Sequence, residues 1–360
     1  MSSYFSATYS DARAKFLSAC LDVEATVRSY ENPERGPAGE SLFTDATWIG
    51  PDNAPNVVVV TSSTHGVEGF AGSAIQIGLL LDPDAPKPSG DVALLLVHAI
   101  NPYGFAWLRR ENEDNVDLNR NFVDHENKNY PENDLFEEIV DHLIPVEWND
   151  TAYQSYLTAI QSLNEKYGEV PVRKAMHKGQ HKHADSIHYG GASATWSNKT
   201  LGLICSDYLK KSKRAAMIDI HTGLGPYGYG ELMTPSKPGE AVYDFFYNWY
   251  GDEVHSTTAG ASLYAGSKGS ILAGFRPLVG SLEWAAVGLE YGTRERETMR
   301  KAMLANSWLH LHGELDSDLG RKIKQEVKDA SYPDEDEWKS LVWKRGKEVI
   351  GIALERFPTS

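Results

Sequence analysis

Short apolar runs alternate with helix-like patterns along this chain. Four runs rich in β-branched or aliphatic residues predict strands buried on both faces, as in a parallel sheet, at residues 56–61, 91–97, 215–220 and 287–291. A further strand is predicted at 231–234. Apolar residues near a 3.6-residue period predict helices over residues 7–30, 71–81, 153–167, 297–325 and 338–357. Strands that alternate with helices indicate an α/β fold with a mostly parallel or mixed central sheet and helices on both faces.

The charge balance narrows the classes of function. The 50 acidic residues outnumber the 35 lysines and arginines, for a net charge of −15. This argues against a nucleic-acid binder, because neutralising phosphates requires a basic stripe that the chain lacks. The start of the chain lacks the features of a signal peptide, and no apolar run approaches the roughly 20 residues of a membrane span. We therefore expect a cytoplasmic protein that binds neither nucleic acid nor membrane, and its oligomeric state stays open.

Two cysteines, Cys20 and Cys205, are too few for a disulfide framework or a thiolate zinc site. Any metal site must therefore use histidine and carboxylate ligands.

Polar residues that could carry chemistry follow three of the predicted strands. His65 and Glu68 follow the first as His-x-x-Glu, His221 follows the third, and Glu290 stands at the end of the fourth. In open α/β sheets, functional groups gather beyond the carboxyl ends of the strands. Two imidazoles and one carboxylate are a common ligand set for catalytic zinc. A second carboxylate can then serve as general base toward a water molecule.

Each of these residues also has a less specific interpretation. A His-x-x-Glu pair alone is usually a surface pair or a cap, and a lone histidine such as His221 is more often a hydrogen-bonded core residue. Gly66 and Gly69, however, indicate a tightly packed turn after a buried strand. Glu290 lies in an apolar stretch and would be costly to bury without a partner, which favours a role. Glu283 is its rival for the same role.

The most specific motif of the chain spans residues 101–122. It reads Asn-Pro-Tyr-Gly, then a pair of arginines, then Asn-Val-Asp-Leu-Asn-Arg-Asn-Phe. This stretch resembles the Asn-Pro-Asp-Gly…Arg…Asn-Val-Asp-Leu-Asn-Arg-Asn-Phe signature of the zinc metallocarboxypeptidases. The His-x-x-Glu before it, the strand ending in His221 after it and the Leu-Glu-x-Gly-Thr element at 289–293 follow in the family's order. Over about residues 40 to 310, the chain resembles the little-characterised bacterial branch of that superfamily, once filed as a domain of unknown function.

The resemblance implies a carboxypeptidase A-like fold and one Zn²⁺ per chain. His65, Glu68 and His221 match the family's zinc ligands, and Glu290 matches its general base.

The resemblance also implies roles for residues of the 101–122 motif. Arg110 matches the arginine that stabilises the oxyanion of the transition state, a role suited to a fixed guanidinium. Asn119 and Arg120 match the residues that hold the terminal carboxylate of the substrate. Arg109 is adjacent and could replace Arg110, although the spacing to Asn112 favours Arg110. Without the flanking zinc set, these arginines would be read as a solvated charge cluster.

Two departures from the family pattern stand out. Tyr103 replaces the aspartate of the Asn-Pro-x-Gly turn. The mobile tyrosine that covers the substrate in the family has no aligned counterpart here, and Tyr264 is a candidate for it.

The spread of the site bears on domain organisation. Length alone suggests about two domains of roughly 150 residues. A boundary between residues 65 and 290 would split the site, and no linker rich in Pro, Gly or Ser divides the chain. We therefore expect one catalytic domain over residues 1–325, with a polar excursion over the cleft at 123–200. A helical C-terminal extension over residues 326–360 would pack on it.

Residues 223–228 match the Gly-x-Gly-x-x-Gly pattern of dinucleotide sites. The predicted strand at 231–234 follows them, whereas that fingerprint requires a helix. We therefore interpret the segment as a turn that shapes the pocket.

Four histidines between residues 177 and 188 could form a second metal site. Because lysines are mixed among them, a solvated loop is the favoured interpretation. Gln180 and His188 are candidates to line the cleft.

The leading functional hypothesis is a zinc-dependent hydrolase that cleaves an amide bond next to a free carboxylate, namely a metallocarboxypeptidase that removes a C-terminal residue. The alternative is a zinc-dependent deacylase of N-acyl amino acids or other small amides, with the same machinery. A non-catalytic binding module is disfavoured, because the ligand set, the base and Arg110 all stand together in the chain. The expected partner is a peptide or small amide with a free carboxylate.

Overall fold

The computed structural model describes residues 2–259 and 269–357. An eight-stranded sheet forms its centre. The strands are β1 Val27–Arg35, β2 Ser41–Ile49, β3 Asn56–Thr61, β4 Val92–His98, β5 Arg214–Tyr227, β6 Gly230–Thr234, β7 Val254–Ser256 and β8 Glu283–Gly292. They lie in the order β1-β2-β4-β3-β5-β8-β6-β7.

The central strands β4, β3, β5 and β8 are parallel. Strands β1 and β2 pair antiparallel with their neighbours, and β6 pairs antiparallel with β8 and parallel with β7. The burial of β3 on both faces explains why its sequence is a continuous apolar run. Val58 and Val60 pack into the apolar core on one face of the sheet, and Val57 and Val59 pack into the core on the other. Each central strand is therefore covered on both sides.

Helices cover both faces of this sheet. They are α1 Tyr9–Asp22, α2 Gly69–Leu81, α3 Pro102–Trp107, α4 Asp150–Tyr167, α5 Glu169–Lys178, α6 Trp196–Leu209, α7 Ala241–Tyr250, α8 Ile271–Gly274, α9 Arg296–His312, α10 Asp318–Ser331 and α11 Asp336–Arg356. Helices α1, α2, α7 and α11 pack on one face, and α6 and α8 pack on the other. The prediction of a single α/β domain with a mixed sheet between two helical layers is confirmed. Across the two described ranges, every helix is too short or too polar to cross a lipid bilayer.

The segment 123–200 contains α4 and α5, and the helix predicted at 153–167 lies within α4. Apolar side chains of α4 and α5 form a small cluster of their own, together with the turn Asp134–Glu138. Leu304 of α9 joins this cluster. The segment is thus anchored on α9 and stands beside the carboxyl ends of the central strands.

The predicted helix over residues 7–30 is wrong beyond residue 22. Glu24 adopts a left-handed backbone conformation with φ of 56°, which ends the helical path. Residues from Val27 onward form β1, which pairs with β2. The sequence did not indicate β1 because it is an edge strand, which tolerates Pro33 and exposed polar residues.

The predicted helix over residues 297–325 is two helices. Gly313 ends α9, and the Ser317 hydroxyl accepts a hydrogen bond from the Gly320 amide (2.9 Å) at the start of α10. The predicted domain boundary at residue 325 therefore falls inside α10 rather than in a loop. The strand predicted at 231–234 is found as β6.

Candidate metal centre and active site

The register of the parallel strands brings the predicted polar residues together. His221 of β5 pairs with Glu290 of β8, and Thr61 at the end of β3 pairs with Asp219 of β5. Laterally paired residues of adjacent strands point to the same face of a sheet, and so do residues two apart in one strand. Asp219, His221 and Glu290 therefore share one face at the carboxyl edge.

The turn that carries His65 and Glu68 is packed directly on the 101–122 motif. After β3 the chain enters a short 3-10 turn, Gly66–Glu68. A Cβ atom on Gly66 would lie 2.0 Å from the carbonyl carbon of Gly104, so only glycine fits here. The Gly66 amide donates a hydrogen bond to the carbonyl of Arg110 (3.1 Å). Backbone contact thus holds the two predicted functional segments together.

His65, Glu68 and His221 converge as a candidate metal site. The two Nδ1 atoms are 3.3 Å apart, His65 Nδ1 is 2.9 Å from Glu68 Oε1, and His221 Nδ1 is 3.2 Å from Glu68 Oε2. Tetrahedral zinc with ligand distances of about 2.0–2.1 Å separates its ligand atoms by roughly 3.3 Å. The geometry of the three side chains therefore fits a zinc ion. No other group of three or more His, Cys, Asp or Glu residues within 2–259 and 269–357 has such an arrangement.

Two buried aspartates face the opposite nitrogens of the two imidazole rings. His221 Nε2 donates a hydrogen bond to Asp219 Oδ2 (2.6 Å), and His65 Nε2 lies 3.4 Å from Asp117 Oδ1. A carboxylate at the distal nitrogen orients a ligating histidine and directs the lone pair of the other nitrogen to the metal. Both Nδ1 atoms are thereby available as ligands.

The sequence reasoning missed Asp219, although a signal was present. Asp219 stands two residues before His221, and this spacing in a strand places both on one face. The hydroxyls of Thr61 and Thr64 donate hydrogen bonds to Asp219 Oδ1 (2.6 and 2.9 Å). The carboxylate is therefore fixed by groups from β3 and the residues after it.

Asp117 was also missed, although it lies inside the recognised motif. It is fully buried, and its Oδ2 atom accepts hydrogen bonds from Arg110 Nε (3.1 Å) and His188 Nδ1 (3.0 Å). Burial alone would raise the pKa of Asp117, but the charges of Arg110 and Arg120 and its hydrogen bonds hold that pKa well below its usual value. The Asp117 carboxylate thus contacts Arg110 of the 101–122 motif and His188 of the 123–200 segment, and it also faces His65.

Arg110, rather than Arg109, reaches the candidate site. Arg110 Nη1 is 3.5 Å from Glu68 Oε1, and its side chain lines the cavity described below. Arg109 instead hydrogen-bonds Asn115 and does not line that cavity. The spacing argument for Arg110 therefore agrees with its position, and its chemical role stays a prediction.

Asn119 and Arg120 lie on a 3-10 turn at the cavity wall. The Arg120 guanidinium donates to the carbonyls of Asn119 (2.7 Å) and His177 (2.6 Å), which orients it. Asn119 Oδ1 accepts a hydrogen bond from the Ile271 amide (2.9 Å), so its Nδ2 group can face a ligand.

Glu290 is buried and held by one backbone group. Its Oε1 atom accepts a hydrogen bond from the Leu224 amide (2.9 Å). Burial, followed by the nearby charge of Glu68, raises the pKa of Glu290 to about 7. Its rival Glu283 is exposed at the opposite end of β8, where it pairs with Arg214, and is excluded by position.

One cavity of about 370 Å³ joins these groups. Its walls come from the carboxyl edge of the sheet and from α4, α5 and α9. All seven side chains predicted from the sequence line it: His65, Glu68, Arg110, Asn119, Arg120, His221 and Glu290.

The charges of the site favour a bound cation. Glu68, Asp117, Asp219 and Glu290 are four buried carboxylates, against the two guanidinium groups of Arg110 and Arg120. Burial alone would raise the pKa of Glu68, but the two imidazoles lower it below the usual value. Burial alone would lower the pKa of His221, but Asp219 and then Glu68 raise it well above the usual value. A divalent cation between these ligands would balance the formal charges, so the donor set fits zinc in charge as well as in geometry.

The four histidines at 177–188 do not form one site. His183 pairs with a glutamate on the surface, and His181 Nδ1 faces a backbone carbonyl (2.8 Å). His188, one of the two candidates to line the cleft, is buried rather than solvated, and its Nδ1 donates a hydrogen bond to Asp117 (3.0 Å). His188 lines the cavity. Gln180 does not, and its side-chain amide donates a hydrogen bond to the carbonyl of His183 (2.8 Å) in its own loop. Tyr264 lies outside the described residues.

The family model described as "Protein of unknown function (DUF2817)" matches residues 5–345. No curated protein matches the chain. Similar solved structures include carboxypeptidase A from Helicoverpa armigera, with a TM-score of 0.47 and 13% identity over 91% of this chain and 74% of that chain. Bovine thrombin-activatable fibrinolysis inhibitor has a TM-score of 0.43 and 12% identity over 97% and 98% of the two chains. Murein-tripeptide amidase from Escherichia coli O157 has a TM-score of 0.37 and 16% identity over 81% and 93%.

The predicted match to a family filed as a domain of unknown function is confirmed by the family model. The identities and TM-scores are too low to transfer an activity, so residue roles depend on the chain's own geometry.

We expect Asp219→Asn to weaken zinc binding by about 10- to 100-fold, because the amide no longer orients and polarises His221 as the carboxylate does. Competition with a chromophoric chelator measures this affinity. Asp150→Asn, an exposed site on α4, is the matched control and should bind zinc as the wild type does. An Asp219→Asn variant that is folded by circular dichroism and binds zinc with wild-type affinity would contradict the assignment.

Proposed function

This chain belongs to the DUF2817 family of proteins of unknown function, and we propose that it is a zinc-dependent hydrolase that cleaves an amide bond next to a free carboxylate. In its most specific form, the proposal is a metallocarboxypeptidase that removes a C-terminal residue. The supporting observation is the convergence of the His65, Glu68 and His221 ligand set with Glu290 and Arg110 around one cavity. The similar solved structures include a carboxypeptidase and an amidase, which is consistent with this class.

The chain's own groups suit the steps of amide hydrolysis. A zinc ion held by the three ligands would supply Lewis acidity toward the substrate carbonyl and acidify a water molecule. Glu290, with a pKa near neutrality, would accept the proton of the attacking water and pass it to the leaving amine. Arg110 is fixed by Asp117 and would donate hydrogen bonds to the oxyanion that develops in the transition state.

The substrate's free carboxylate would be held on the 101–122 motif. Arg120 is anchored by two backbone carbonyls, and a guanidinium fixed in this way retains N–H groups for a carboxylate. Asn119 Nδ2 lies on the same turn and would donate an additional hydrogen bond. A substrate lacking the carboxylate would leave these donors unpaired.

A second candidate activity is the deacylation of a small N-acyl amino acid. The cavity volume of about 370 Å³ lies at the small end of the range for ligand sites, and α4 and α5 form part of its wall. Such a cavity favours a short substrate. Both activities use the same zinc, base and arginine groups.

We expect Glu290→Gln to lower kcat by at least about 100-fold while zinc remains bound, because the amide cannot accept a proton. Steady-state kinetics and metal analysis of the same preparation check this. Glu283→Gln at the far end of β8 is the matched control and should retain wild-type kcat. Near wild-type turnover by Glu290→Gln would remove it from the mechanism.

The pH profile provides a separate test. Burial raises the pKa of Glu290 to about 7, and only the ionised form can accept a proton. We therefore expect kcat/KM to fall as pH decreases through an apparent pKa at or below about 7, since a bound cation lowers the pKa. A rate that stays constant from about pH 5 to 8 would contradict a carboxylate base with this pKa.

The experiment that tests the function itself is a screen of short peptides and N-acyl amino acids, each with a free or an amidated carboxyl end. Hydrolysis should require the free carboxylate, stop with a chelator and return with about one zinc per chain. Arg120→Ala should raise KM mainly for substrates with a free carboxylate, and Arg120→Lys should recover part of the loss. Equal cleavage of free and amidated substrates would contradict the carboxylate role, and cleavage unaffected by chelation would contradict the zinc role.

A further inference from the structure

Two helices that wall the cavity carry arginines that line it. On α9, Arg296, Met299, Arg300 and Met303 recur at intervals of three and four residues and all line the cavity. This spacing places them on one side of the helix. On α5, Arg173 also lines the cavity. None of these arginines has a part in the proposed hydrolytic machinery.

The arginines of α9 have no carboxylate partner among the described residues, although the Arg300 guanidinium lies over the ring of Tyr156 (5.9 Å to the ring centroid). Arg173 pairs with Glu169 (2.9 Å), which also lines the cavity. Within residues 2–259 and 269–357, neither Arg296 nor Arg300 has a hydrogen bond or an ion pair to a carboxylate within 4.0 Å, although Glu295 and Glu297 flank Arg296 in sequence. The Nε atom of Arg300 is buried and lacks a hydrogen-bond partner.

The position of Arg296 adds a second indication. It is the first residue of the 17-residue helix α9. A cation at a helix N-terminus is unfavourable, because the helix dipole already places positive charge there. An anion beside Arg296 would be attracted both by the guanidinium and by the positive end of the helix dipole.

The overall charge of the cavity points in the same direction. With a divalent metal bound, the four carboxylates of the metal site are balanced by the metal and by Arg110 and Arg120. Arg173 is balanced by Glu169, so Arg296 and Arg300 leave an excess of positive charge. Burial first, and then His188, Arg120, Arg110 and Arg296, lower the pKa of His177 to about 3. The charge of Arg296 therefore reaches the same part of the cavity, around His177, as the charges of Arg110 and Arg120.

We propose that this cavity binds substrates that carry a second anionic group in addition to the terminal carboxylate, and that Arg296 and Arg300 recognise it. The favoured group is the side-chain carboxylate of an acidic residue next to the scissile bond, because a guanidinium matches a carboxylate in shape and charge. The proposal rests on the proposed function, in which Asn119 and Arg120 hold the first carboxylate. The methionines between the arginines can adapt to the apolar part of such a side chain.

The test compares substrates that differ only in charge. Dipeptides and N-acyl amino acids with a free carboxyl end are prepared with Glu or Gln at each of the two positions that flank the scissile bond. For at least one position, we expect the Glu substrate to have a kcat/KM about tenfold or more above that of its Gln counterpart. Equal values at both positions would overturn the proposal and leave the proposed hydrolase intact.

Arginine variants identify the groups responsible. Arg296→Gln and Arg300→Gln should each lower kcat/KM for the Glu substrate by about tenfold, mainly through KM, and change the Gln substrate by less than about twofold. Arg321→Gln on α10, which is exposed and outside the cavity, is the matched control. Equal losses on both substrates would indicate a structural effect and contradict recognition. Arg296 is exposed, so its replacement is not expected to disturb folding.

Binding can be measured without turnover. Calorimetric titration of the Glu290→Gln variant with the Glu and Gln peptides should give tighter binding of the Glu peptide, and added salt should reduce the difference. The Arg300→Gln substitution in the same background should remove the difference. Equal affinity for both peptides, or no binding of either, would overturn the proposal. If no peptide is hydrolysed by the wild type, yet the Glu peptide binds selectively, the proposed function fails while the anion site stands.

Discussion

The candidate site depends on the pairing of buried carboxylates with positive charge. Asp117 and Asp219 are fully buried, and each faces the distal nitrogen of one imidazole. An isolated buried carboxylate is strongly unfavourable, so these groups are stable only because hydroxyls, rings and Arg110 surround them. The same contacts orient both Nδ1 atoms toward Glu68. The interactions that make burial tolerable thus also prepare the chain to bind a metal.

Much of this arrangement could be predicted from the sequence. The apolar runs of β3, β5 and β8 are unambiguous because each strand is covered on both faces, and polar residues at their ends must then meet at one edge. Strand β1 could not be predicted in this way, since an edge strand has no continuous apolar run. Asp117 and Asp219 were missed because their significance lies in which ring nitrogen they face. Such a contact depends on tertiary structure, and residue type alone does not indicate it.

The cavity has two parts with different structural origins. The candidate metal ligands, Glu290 and Arg110 lie on strand ends and tight turns that are packed backbone to backbone, as at Gly66 and Gly104. The remaining walls come from α4, α5 and α9, whose side chains meet in a separate apolar cluster. Rigid elements position reacting groups accurately, whereas the helices determine the shape and charge of the space around them. The proposed chemistry and the proposed selectivity therefore belong to different parts of the chain.

The register between β5 and β8 limits which changes in β8 the site can tolerate. Glu290 faces the cavity, while its neighbours Leu289 and Tyr291 face the opposite apolar layer. Inserting or deleting one residue in β8 before Glu290 would exchange these faces, burying the carboxylate in apolar surroundings and turning a hydrophobic side chain toward the metal ligands. The position of Glu290 in the cavity therefore depends on the number of β8 residues that precede it.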